Sequence, residues 1–181
     1  MKTVLVPLAD GCEEMEAITI TDILTRAGAK VITAGLTSGT VKASRGANLL
    51  PDATLSSVLD KTFDLVVLPG GLPGAHYLAE NQQLLALLQQ RHEKQQLLAA
   101  VCAAPRVLAT AGILKDRTIT CYPGSMSDLE SKWNDTGKAI EIDGHIVTGR
   151  GPGVVLDFSL CLVEQLFDRE KRVEVETALA R

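Results

Sequence analysis

The sequence predicts an α/β sandwich, with a mostly parallel central sheet covered by helices on both faces. Two observations carry this. Apolar runs rich in β-branched and aliphatic residues recur along the chain as "TVLVPLA", "KVITAGL", "DLVVLPGG" and "QLLAAV", too continuously apolar for strands with one wet face. Segments of helical periodicity separate them, which is the pattern of parallel strands joined by crossover helices. A third observation bounds the organisation: 181 residues without a linker-like run of Pro, Ser or charge make one domain, 1–181.

The elements follow in order. Residues 3–9 read as a strand and 14–28 as a helix stopped by Gly28. A second strand spans 30–36, and "TVKASRGANLLP" (40–51) has the Gly and alternation of a short β excursion. Residues 64–71 form a buried strand ending in Pro-Gly-Gly, and 75–92 are helical. Then come a strand at 96–101, a helix from about 103 to 111, a strand near 117–121, a β pair around 138–149, and helices at 154–167 and 169–179.

Composition narrows the function. Hydrophobic residues at 46% and charged residues at 22% fit a soluble globular protein. A net charge of −4 and an aromatic fraction of 3% argue against a basic or stacking surface, so no stable nucleic-acid complex is expected. No apolar stretch approaches the roughly 20 residues that span a bilayer, and the N-terminal apolar run ends in acids rather than a cleavage site. No membrane association is expected. Cysteines at 12, 102, 121 and 161 lack metal-site spacing and disulfide density. They read as free thiols of a cytoplasmic protein, with no metal.

Ligands of such folds gather at the carboxyl ends of the strands, which selects the loops "ADGCEEME", "LPGGLPGAH", "VCAAP" and "TCYPGS". Cys102 stands where a strand turns into a helix. Unpaired N–H groups at a helix start favour thiolate, and Pro105 suits a first turn. The alternative is a small core residue. Glu13, Glu14 and Glu16 crowd another helix start, where carboxylates are stabilised with or without chemistry. The helical spacing of Glu16 with Ala17, Ile20 and Leu24 turns it toward the buried side, where a carboxyl gains a raised pKa and can move protons near neutrality. Gly70 and Gly71 lie in a loop without the phosphate-loop pattern; the Gly71 N–H could face an oxyanion beside Cys102, or the glycines could only make a turn. "GRGPG" (149–153) reads as a structural turn. His76 follows the glycine loop and is a candidate to reach the site, whereas His92 and His145 read as exposed.

The segments "GCEEMEA", "RAGAKV", "SRGANLLPDA", "FDLVVLPGG", "AAVCAAP", "GRGPG" with a following "DF", and "REKRVEV" together resemble the ThiJ/PfpI superfamily, in the YajL-like branch that holds the parkinsonism-associated deglycase. The resemblance covers nearly the whole chain. It implies a flavodoxin-like three-layer sandwich, usually a homodimer, with Cys102 as nucleophile. Glu16 matches the branch's protonated glutamate beside the sulfur, the N–H groups of Gly71 and Ala103 match its oxyanion pocket, and Arg45 matches an arginine near the pocket at the dimer interface. Tyr122 stands where the human branch has a His. Ala103 stands where the protease-like branch has a His, which disfavours proteolysis.

The implied activity is cofactor-free: glyoxalase III conversion of methylglyoxal to lactate, or deglycation of aldehyde-modified proteins and nucleotides. The substrate would be a small aldehyde or a glycated protein. The alternative is an oxidative-stress sensor or chaperone working through oxidation of Cys102, with Cys121 or Cys12 as a resolving thiol.

Overall fold

The computed structural model describes residues 1–130 and 132–181. In chain order the principal elements are β1 (Thr3–Leu8), α1 (Glu14–Arg26), β2 (Lys30–Gly35), β3 (Val41–Lys42), β4 (Asn48–Leu49), β5 (Ala53–Thr54), β6 (Leu65–Leu68), α2 (Gly74–Glu80), α3 (Gln82–Glu93) and β7 (Leu97–Val101). They continue with α4 (Pro105–Thr110), β8 (Thr118–Ile119), β9 (Asn134–Asp135), β10 (Ile140–Asp143), β11 (Ile146–Gly149), α5 (Val155–Leu166) and α6 (Arg169–Ala178).

Seven strands form the central sheet in the order β10-β11-β7-β6-β1-β2-β5. Every neighbouring pair is parallel except β10 with β11, which form an antiparallel edge hairpin. This is the mostly parallel, flavodoxin-like sandwich that the sequence predicts.

Strand alternation explains why the runs look continuously apolar. Val4, Val6, Leu65, Val67, Ala99 and Val101 enter one core, under Ile20 and Leu24 of α1, Phe158 and Leu162 of α5, and Val175 of α6. Their neighbours Leu5, Val66, Leu68, Leu98 and Ala100 enter the other, under Leu78 of α2, Leu84 and Leu88 of α3, and Val107 of α4. Successive side chains of a strand point to opposite faces, so a sheet covered twice needs apolar residues at every position.

Several expectations are refined. The helix expected over 75–92 is two, because Asn81 leaves helical geometry and its side chain caps α3 by accepting the Leu84 N–H at 2.9 Å. The β excursion at 40–51 is the hairpin β3–β4. The strand near 117–121 reduces to β8, which pairs with β9 outside the central sheet. β5, an edge strand of two residues, is too short to carry a periodic signal. Among the described residues, no helix is long and apolar enough to cross a membrane.

Candidate active site

Cys102 follows β7 and precedes α4, and its backbone sits at φ +61. A side chain in this left-handed region costs of order 1–3 kcal/mol, and such residues cluster at functional sites. The turn is held from both sides: the Cys102 N–H donates to the Gly149 carbonyl at 2.9 Å, and its carbonyl accepts from Tyr122 N–H at 2.8 Å. The following helix runs only from Pro105 to Thr110.

The chain around the thiol is packed so closely that only glycine fits beside it. A Cβ on Gly70 would lie 2.7 Å from Cys102 Cβ and 2.9 Å from Ala103 N. Gly71 has φ +89, and a Cβ there would meet Glu13 N at 2.3 Å. The backbone N–H groups of Gly71 and Ala103 are close enough to the Cys102 sulfur to favour its ionised form.

Glu16 completes the cluster. Glu13 caps α1 by accepting the Glu16 N–H at 2.8 Å, and the helical turn that follows carries the Glu16 side chain inward to 0% exposure. Its Oε2 accepts the Gly70 N–H at 2.7 Å. Oε1 is buried without a partner of ordinary hydrogen-bond geometry, while the Cys102 thiol is close enough to act on the carboxyl. Burial pushes the Glu16 pKa up to about 7, against the pull of the Gly70 N–H and the Cys102 thiol. Neutral and ionised Glu16 are therefore both accessible near neutrality.

The pull of a helix start toward thiolate meets opposing effects at this site. Burial, then the negative charge of Glu16, push the Cys102 pKa up to about 12, although the Gly71 and Ala103 N–H groups pull it down. Cys102 is 8% exposed, and the helix beyond it is too short to offset that desolvation. Loss of the Glu16 charge, by protonation, is what would release the thiol.

A cavity of about 480 Å³ opens over this cluster, lined by Cys102, Gly71, Ala103, Arg45, Tyr122 and Pro152 among others. Of the candidates named from sequence, the fold thus brings Cys102, Glu16, Gly71, Ala103, Arg45 and Tyr122 together. Gly70 is spent differently: its N–H is taken by Glu16 and it does not line the cavity. His76 is absent from the lining and lies on α2. The histidines expected to be exposed instead meet, with His92 Nδ1 2.9 Å from His145 Nε2 and His145 8% exposed. His92 on α3 and His145 in the β10–β11 turn converge because Leu98 N–H binds the His145 carbonyl.

Neither proposed resolving thiol borders the cavity. Cys12 is buried, and the Cys121 thiol donates to Asp135 Oδ2 at 3.4 Å beside a different cavity. Sequence reading missed Pro152 and Ser125 as cavity residues. Ser125 lies in the strand-end loop "TCYPGS" and Pro152 in the turn "GRGPG", but no residue-type signal marks either.

The fold and this cluster define a flavodoxin-like α/β protein with a buried cysteine–carboxyl pair at the strand ends. Residues 2–165 match the family model described as the DJ-1/PfpI family, and the chain belongs to that family. It is 42% identical over 180 residues to Protein dj-1beta of Drosophila melanogaster, covering 98% of this chain and 96% of that one. The crystal structure of that protein aligns with a TM-score of 0.92 over 99% of this chain and 97% of the other, at 43% identity. Glutathione-independent glyoxalase DJR-1.2 of Caenorhabditis elegans is 36% identical over 168 residues, covering 93% and 89% of the two chains. A structure of oxidized Toxoplasma gondii DJ-1 aligns at 34% identity and TM-score 0.92, covering 99% and 98%.

Proposed function

We propose that this protein is a cofactor-free glyoxalase that converts small dicarbonyls such as methylglyoxal to hydroxy acids, with deglycation of aldehyde adducts by the same opening steps. The observation that carries this reading is the convergence of two N–H groups and a carboxyl of near-neutral pKa on one sulfur. The relative named a glutathione-independent glyoxalase supports it.

Cys102 sulfur adds to the aldehyde carbon of methylglyoxal, and its proton passes through Glu16 to the carbonyl oxygen, giving a hemithioacetal. The Gly71 and Ala103 N–H groups stabilise the charge that develops on that oxygen. Glu16 takes the proton from the former aldehyde carbon and returns it to the adjacent carbon, while the hydroxyl proton of the hemithioacetal passes to the neighbouring ketone oxygen, leaving a thioester of lactate. Water cleaves the thioester, releasing lactate and regenerating the thiol. The sum is methylglyoxal plus water to lactate and a proton, with no external oxidant or reductant. Arg45 and Tyr122, both exposed at the rim, contact the substrate's outer end.

Exposed Ile18 on α1 and Leu50 after β4 line a surface groove of about 530 Å³, which supports the expected homodimer; light scattering of the pure protein tests it. The four free cysteines accord with a cytoplasmic setting. Lactate formation without added thiol, lost in Cys102→Ser, tests the activity.

A second reading is favoured by one observation: a neutral Glu16 is a hydrogen-bond donor for an oxygen added to Cys102. The protein would then sense peroxide. Mass spectrometry after mild peroxide tests this: two added oxygens on Cys102 support it, and an unmodified Cys102 removes it.

A further inference from the structure

Arg106 lies in the first turn of α4, just past Cys102, and is 5% exposed. Its guanidinium leaves the helix to hold the loop after β8. Nη1 donates to the Ser125 carbonyl at 2.7 Å, and Nη2 to Asp128 Oδ2 at 2.6 Å. Nε is buried without a partner. Burying a guanidinium with one N–H unsatisfied is costly, and an apolar residue like neighbouring Val107 or Leu108 would fill this space more cheaply.

What the arginine provides is the position of the loop. Residues 122–128 contain no strand or helix, only turns such as Ser125 N–H to the Tyr122 carbonyl and Ser127 N–H to the Gly124 carbonyl. At one end the loop is tied to the thiol's own residue, through Tyr122 N–H and the Cys102 carbonyl. At the other it is tied to Arg106. Tyr122, Pro123, Gly124 and Ser125, which lie between the ties, all line the Cys102 cavity.

We propose that Arg106 is a positioning residue: it fastens the 122–128 loop as a fixed wall of the Cys102 cavity and thereby limits the size of the compound that reaches the sulfur. For carbonyl substrates this rests on the glyoxalase reading above; for access to the thiol it does not.

The test compares alkylation of Cys102 by iodoacetamide and by a pyrene maleimide, followed by peptide mass spectrometry, in the intact wild type, Arg106→Met and Asp128→Asn. In Arg106→Met the maleimide rate is expected to rise at least tenfold relative to the iodoacetamide rate. Asp128→Asn, whose side chain is largely exposed and which keeps the Ser125 tie, is expected to give two- to fourfold and serves alone if Arg106→Met does not fold. With methylglyoxal, KM rises severalfold in Arg106→Met while kcat changes less. An unchanged ratio of the two alkylation rates in the folded variants, even with a lowered Tm, overturns the proposal. A wild type that makes no lactate overturns the glyoxalase reading alone, because the alkylation ratio needs no turnover.

Discussion

The carboxyl of Glu16 and the thiol of Cys102 share one buried site, and each changes how firmly the other holds its proton. The pair therefore titrates as a unit. With Glu16 ionised, its charge adds to burial in keeping the proton on sulfur. With Glu16 neutral that charge is gone, and the Gly71 and Ala103 N–H groups act on the thiolate unopposed.

Replacement by glutamine separates the two roles of Glu16. In Glu16→Gln the thiol loses the neighbouring charge, so its pKa falls, and iodoacetamide reacts faster at pH 8 than with wild type. Turnover nevertheless falls, by about 10²–10⁴ as expected for loss of a general acid–base group. A thiol that titrates higher in Glu16→Gln contradicts the charge argument.

Glu16 also gives folding stability a pH dependence. Burial raises its folded-state value from the ordinary 4.5 to about 7, so between these values the folded protein keeps a proton that the unfolded chain releases. The contribution is full below pH 4.5 and is lost as pH rises through 7, on the order of 3 kcal/mol in all. Urea midpoints from pH 4.5 to 8 in wild type and Glu16→Gln measure this, and wild type should lose stability relative to Glu16→Gln as pH rises.

The fold was legible because every central strand is apolar at successive positions, as Leu5 and Val6 or Val66 and Val67 show by entering opposite cores. Cys102 and Glu16 were legible as a pair of strand-end residues, and Glu16 also through its helical spacing with Ile20. The thiol's proton affinity was not, because desolvation depends on what the fold packs around the turn. The His92–His145 contact was equally hidden: a polar helix and a hairpin turn carry no pattern saying that they meet.

That histidine pair should weaken the fold in acid. Burial first, then Arg117, lowers His92 against the pull of Glu93; burial, His92 and Arg117 lower His145 against the pull of Asp143. Depressed values mean stability present above about pH 6.5 and lost as pH falls through the folded-state values. His92→Gln should lose less stability than wild type between pH 7 and 5 in urea titrations.

Gly70→Ala should dislocate the site. The new Cβ meets Cys102 Cβ and the Val101 carbonyl at 2.7 and 2.8 Å, and backbone atoms cannot rotate away as a flexible side chain could. A loss of about 1–3 kcal/mol, typical of core overpacking, should accompany at least a tenfold fall in turnover. Thermal melts and kcat/KM on the same preparation check both, and wild-type values for either contradict the packing described.

The central claim is that one sulfur and one carboxyl perform the chemistry, and lactate formation from methylglyoxal without added thiol tests it most directly. Wild type should form lactate, Cys102→Ser should form none, and Glu16→Gln should be slowed at least a hundredfold while Cys102 still alkylates. Wild-type rates in either variant, or no lactate from a wild type whose Cys102 alkylates readily, would contradict the account.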